Sequence, residues 1–134
     1  MALKHVRSAG ANDVASYQLA GVPYVTSSLG NEVTATAVCH KFPRVTRWVV
    51  IHNLSTSPMR VGFTKHGVDA SVTANYLVLS GNQTTDRLEL RCKEMWFRRA
   101  GSVNCGFSII AGLTGIYTDQ FPVLTGSSNF KGVG

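Results

Sequence analysis

Few side chains in this chain are spaced for chemistry. The four histidines, His5, His40, His52 and His66, never fall at H-x-H, H-x-x-x-H or H-x-x-E-H spacing. Such spacings put two imidazoles on one face of a strand or helix, within reach of one metal ion. Neighbouring strands could still bring His40 and His52 together; apart, each is an ordinary structural histidine. The acids are Asp13, Glu32, Asp69, Asp86, Glu89, Glu94 and Asp119. Catalysis by a carboxylate pair needs two of them across one cleft. Glu89 stands between Arg87 and Arg91 on an alternating segment, which reads as ion pairing instead. No G-x-S-x-G elbow, G-x-x-x-x-G-K-[ST] loop or G-x-G-x-x-G turn is present. Cys39, Cys92 and Cys105 are odd in number and lack C-x-x-C spacing, so they are expected to be free thiols acting as small apolar residues. The expectation is no enzymatic activity, no cofactor and no metal.

The elements that carry these residues have the texture of an all-β protein. Asn12 or Asp13 could cap a short helix running to Ala20. Beyond Gly21 come eight short apolar runs: residues 22–29, 33–40, 44–53, 59–64, 73–79, 86–92, 94–99 and 105–113. Gly, Pro, Asn and Ser separate them, a spacing typical of sandwiches and barrels. In the second run, Val33, Ala35, Ala37 and Cys39 share one face, while Thr34, Thr36 and His40 share the other. In the third, Trp48-Val49-Val50-Ile51 is apolar on both faces, which suggests a strand covered on both sides. The sixth run alternates most clearly, with Leu88, Leu90 and Cys92 inward and Arg87, Glu89 and Arg91 outward. The eighth places Cys105, Phe107, Ile109, Ala111 and Leu113 on one face. Gly67 opens a longer loop. The expected core is Trp48, Val50, Ile51, Val61, Phe63, Leu88, Leu90, Phe97, Phe107 and Ile109.

With 134 residues the chain makes one domain and needs no covalent staple. Charged residues are only 15%, against about 25% in an average soluble domain, so part of the surface is expected to meet protein instead of water. The formal charge of +6 lies wholly in residues 41–99, which hold ten basic and four acidic residues. A basic middle could face nucleic acid, an anionic membrane or an acidic neighbour subunit. Trp48, Phe63, Tyr76, Trp96, Phe97 and Phe107 lie in the runs, so stacking on single-stranded nucleic acid beside Arg47 and Arg98 is a possible use; core packing is the ordinary one. No signal-peptide core and no apolar stretch of membrane-spanning length is seen, so synthesis in the cytosol is expected. The sequons at Asn53 and Asn82 are then chance.

Three segments carry a resemblance to a known family. The first is Trp48-Val49-Val50-Ile51-His52-Asn53-Leu54-Ser55, leading into Arg60-Val61-Gly62-Phe63-Thr64-Lys65-His66-Gly67-Val68. The second is Leu88-Glu89-Leu90-Arg91-Cys92-Lys93-Glu94-Met95-Trp96-Phe97. The third is Gly106-Phe107-Ser108-Ile109-Ile110-Ala111-Gly112-Leu113-Thr114-Gly115-Ile116. Together they resemble the penton proteins at the fivefold vertices of icosahedral large double-stranded DNA viruses, iridovirus-like ones in particular. The resemblance implies a single eight-stranded jelly-roll β-sandwich, a homopentameric plug, and contacts with the major capsid protein and other minor capsid proteins. It implies a place in the virion capsid after assembly in the host cytoplasm, with no small-molecule substrate and no direct nucleic-acid contact.

On this reading residues 1–20 are an N-terminal arm, 21–116 the jelly-roll domain and 117–134 a C-terminal tail, both ends being flexible. A closed ring needs one patch of each subunit to meet a different patch of the next. Arg60, Arg87, Arg91, Arg98 and Arg99 are the expected subunit-interface residues, because a guanidinium holds carboxylates bidentately and stacks on rings. A nucleic-acid-binding or carbohydrate-binding β module is the alternative.

Overall fold

Seven of the eight runs carry a strand in the computed structural model, which describes residues 21–28, 30–70, 74–124 and 132–133. The strands are β1 (Val22–Ser27), β2 (Val38–Lys41), β3 (Thr46–Asn53), β4 (Met59–Gly62), β5 (Leu77–Leu79), β6 (Glu94–Arg99) and β7 (Phe107–Leu113). They form two antiparallel sheets, β1-β7-β3 and β2-β6-β4-β5. Among the described residues the fold is all-β apart from one helical turn, α1 (Lys65–Asp69), and a 3-10 turn at Thr118–Gln120. The helix expected before Ala20 lies outside the described residues.

Seven strands stand where eight were expected, because residues 86–92 do not form a regular ladder. They run along β3 and meet it at isolated bridges, Val49 with Leu88 and, just before them, His52 with Thr84. Side chains replace the missing rungs: the Thr46 hydroxyl accepts from the Cys92 amide (3.1 Å) and donates to the Leu90 carbonyl (2.6 Å). A register shift between Thr46 and Trp48 accompanies this.

The same shift corrects the expected core. Val49, Ile51 and Asn53 face inward at 0% exposure, whereas Trp48 and Val50 face outward and are half-buried. Ile51, Val61, Phe97, Phe107 and Ile109 are buried as expected, and Phe63, Leu88 and Leu90 pack half-buried against them. At the centre Phe97 of one sheet stacks on Phe107 of the other, 4.4 Å between ring centroids and 7° between planes. Cys105, Phe107, Ile109, Ala111 and Leu113 all point inward.

The second run is also corrected. Residues 34–37 are not strand; the Thr36 amide bonds the Thr34 hydroxyl in a local turn. The alternation started at Val33 therefore does not carry through to β2. Register puts His40 opposite buried Met95, facing the core, and Cys39 opposite Trp96 on the outer face. His40 sits among Tyr24, Phe42 and Phe107, and its Nε2 shares a 2.9 Å hydrogen bond with the Tyr24 hydroxyl, tying β2 to β1 across the sandwich. Burial lowers the His40 pKa.

Asn53 closes β3 as a polar hub. Its Nδ2 donates to the carbonyls of Ser57 (2.8 Å), Leu79 (3.2 Å) and Ser80 (3.2 Å). Its Oδ1 accepts from the amide and hydroxyl of Ser55 (3.0 and 2.9 Å). One amide thus fixes the β3–β4 loop against the end of β5.

Candidate subunit interface

The outer face of the β1-β7-β3 sheet is a grid of three rows that register dictates. Pro23, Gly112 and Trp48 form the first, Val25, Ile110 and Val50 the second, and Ser27, Ser108 and His52 the third. Adjacent members are cross-strand neighbours, close enough to pack side by side. The third row is polar: Ser27 and Ser108 hydroxyls lie 2.6 Å apart, and His52 Nδ1 is 2.7 Å from the Thr84 hydroxyl. The first two rows are apolar, yet Val25 is 74% and Ile110 48% exposed. Arg47 and Arg87 both pair with Glu89 on the segment beside β3, giving the face a charged border.

Outward on the other sheet stand Cys39 and Lys41 of β2, Glu94, Trp96 and Arg98 of β6, and Arg60 of β4. The Cys39 thiol donates to Glu94 (3.3 Å), and burial, then that bond and the carboxylate's charge, push its pKa up to about 12. Cys92 is pushed up to about 11 by burial, against the pull of its Thr46 hydrogen bond. All three cysteines are free.

The five expected arginines are not brought together. Arg60 and Arg98 face each other directly across β4 and β6. Both reach the end of α1: Arg60 Nη1 donates to the Val68 carbonyl (2.9 Å), and Arg98 Nη1 to the Asp69 carbonyl (3.1 Å). Arg60 stacks over Tyr76 at 4.5 Å, and Arg98 Nε lies 3.6 Å from the Asp69 carboxylate. Arg99 instead braces its own turn through Ser102 and Asn104. Arg87, on Glu89, and half-buried Arg91 belong to the segment beside β3, in the other layer.

His40 and His52 are likewise separated, one in the core and one on the outer face. Among the described residues no group of three or more His, Cys, Asp or Glu could hold a metal ion. Two open clefts, about 270 and 330 Å³, have one carboxylate between them, Glu94. No helix among the described residues is long and apolar enough to cross a membrane.

No family model, curated protein or solved structure matches the chain. The site is therefore read from its own geometry. Sequence reasoning missed the grid because it placed Trp48 and Val50 in the core. The available signal was the two-sided apolar run 48–51, which called for a cover on both faces and has the core on only one.

Proposed function

We propose that the protein is a structural subunit of a virion, a penton that assembles as a homopentameric plug at icosahedral capsid vertices. The observation that carries this reading is the uncovered apolar grid, Trp48, Val50, Val25 and Ile110. A small domain with charged residues at 15% and such a patch is built to be covered by protein.

The finer fold assignment supports it. Counting residues 84–92 as an irregular eighth strand, the runs pair first with last, second with seventh, third with sixth and fourth with fifth. That is one long antiparallel ribbon rolled up on itself, the plan of a jelly roll. Further pairs, β3 with β7 and β4 with β6, join the ribbon's turns into two sheets.

Native mass measurement of the full chain tests the assembly, with a pentamer as the expected species. Val25→Asp with Ile110→Asp should leave a folded monomer, because both side chains already meet solvent. A wild-type chain that stays monomeric at assembly concentrations would remove the penton reading. Tight nucleic-acid binding with a steep salt slope would favour a nucleic-acid module in its place.

A further inference from the structure

One rim of the sandwich is joined through a histidine. Among the described residues β1 ends one sheet and β2 ends the other. Register with buried Ala111 turns Tyr24 inward on β1, between Val22, which is 52% exposed, and the short side chain of Thr26. Tyr24 is therefore the large side chain by which β1 holds the opposite layer. Its ring packs on His40 and Phe42, 5.9 and 5.6 Å between centroids, and its hydroxyl shares the 2.9 Å bond with His40 Nε2.

That bond suits a neutral imidazole, in which one nitrogen donates and the other accepts. An imidazolium has two N–H donors and a charge. From β1, the Tyr24 hydroxyl offers it one acceptor. Phe42 just beyond β2, Phe107 of β7 and Met95 of β6 are apolar. Cys39 and Lys41, its neighbours on β2, alternate to the outer face, where both meet Glu94, one by hydrogen bond and one by register. A protonated His40 thus adds a charge and a donor, which water satisfies once the rim parts. Parting there moves β1, and β1 carries Pro23 and Val25 of the outer grid. The other columns of the grid, on β7 and β3, stay joined by their own pairing.

We propose that His40 is an acid latch for the candidate interface. Neutral, it ties Tyr24, and with it β1, to the other sheet; protonated, it frees β1 from β2, and the grid loses its Val25 border. The loss of neighbours that follows rests on the assembly reading above, whereas the latch itself belongs to the single chain.

The test is amide exchange on the dilute, dissociated full chain at about pH 7.5 and 5.5, on either side of the ordinary histidine titration. Rates are scaled for the intrinsic pH dependence of exchange, and β1 is compared with β4, two strands away from β2. Acid should lower the protection of β1 by about 3- to 10-fold, tenfold per pH unit being the limit for one proton, and leave β4 unchanged. His40→Gln, which can still bond Tyr24, should abolish the response. Tyr24→Phe should loosen β1 already at neutral pH. His52→Gln, at the polar row of the grid, should respond as the wild type does. Equal losses in β1 and β4 overturn the latch, because they are ordinary acid destabilisation. So does an undiminished response in His40→Gln. Native mass at the same two pH values reads the assembly: wild-type rings should come apart in acid, and those of His40→Gln should persist. Rings that part equally in both overturn the link from latch to grid. A chain that forms no rings at neutral pH fails the assembly reading, and the exchange result then still decides the latch. Should Tyr24→Phe misfold, His40→Gln decides alone.

Discussion

Replacing Asn53 by leucine should cost about 3–5 kcal/mol, a large share of the roughly 5–15 kcal/mol that holds a domain together. The side chains are close in size, so packing changes little and polar satisfaction decides the outcome. Nδ2 has two hydrogens for three carbonyls, so it makes two good bonds at any moment; Oδ1 accepts two more. Four bonds at about 1 kcal/mol each give the middle of the range. Water can reach Ser80, which is exposed, but not the Leu79 residue behind it, so one acceptor also bears a desolvation penalty. Urea unfolding should show a lower midpoint at an unchanged slope, and heating a fall in Tm of about 10–20 °C. Asn53→Asp adds a signature. Its carboxylate would face three carbonyl oxygens, which raises its folded-state pKa above the ordinary 3.9 or so. The penalty is then present at neutral pH and relieved as pH falls through that raised value, where a protonated acid can donate. A leucine variant within 1 kcal/mol of wild type, or an aspartate variant with no recovery in acid, would refute the hub.

Other expectations follow from single positions. Ala70 caps α1 at φ of 55°, so Ala70→Gly should stabilise by about 1 kcal/mol, measured by the same urea transition. Burial lowers the His40 pKa, so the unfolded chain binds the extra proton: stability is full above about pH 6.5 and falls as pH drops through that value. His40→Gln, which can still bond Tyr24, should flatten this slope between pH 7 and 5; an unchanged slope would assign it elsewhere. With its pKa pushed up to about 12 from an ordinary 9.0, native Cys39 should hold roughly a thousandfold less thiolate than a free thiol at pH 8. Iodoacetamide should therefore label it slowly until the protein is denatured, when three thiols should react.

Sequence pattern located the strands well, because a side-chain period of two and Gly or Pro at the breaks reflect local chemistry. It failed where the backbone changes phase. The shift at Thr46–Trp48 moved Val49 inward and Trp48 outward, and the turn at Thr34–Thr36 exchanged the faces of Cys39 and His40. Residues 86–92 alternate cleanly, yet threonine side-chain bonds stand in for ladder rungs there, and alternation is blind to that. The helical turn at Lys65–Asp69 was read as a loop, since five residues around a glycine carry no helical period. For the candidate interface, arginine positions were legible, but their partners were not: Arg60 and Arg98 each give an Nη1 donor to a carbonyl of α1, and Arg98 Nε bonds the Ala35 carbonyl, which no spacing rule foresees.

The long-range strand pairings set a schedule for biosynthesis. Val22 pairs with Leu113, ninety-one positions later, and Val38 with Phe97, whereas only Met59 and Leu79 are near in sequence. Closing such long loops costs entropy before any contact repays it, so folding belongs to the millisecond-to-second class and begins at the β4–β5 end. On a ribosome adding about 5–20 residues per second, β1 waits roughly 5–20 s for its sheet neighbour β7. Throughout that interval Tyr24 and Val25 sit on an unpaired strand, open to the same strand of another nascent chain. Synthesis from crowded polysomes, and not the finished fold, is therefore where this protein is most exposed to mispairing.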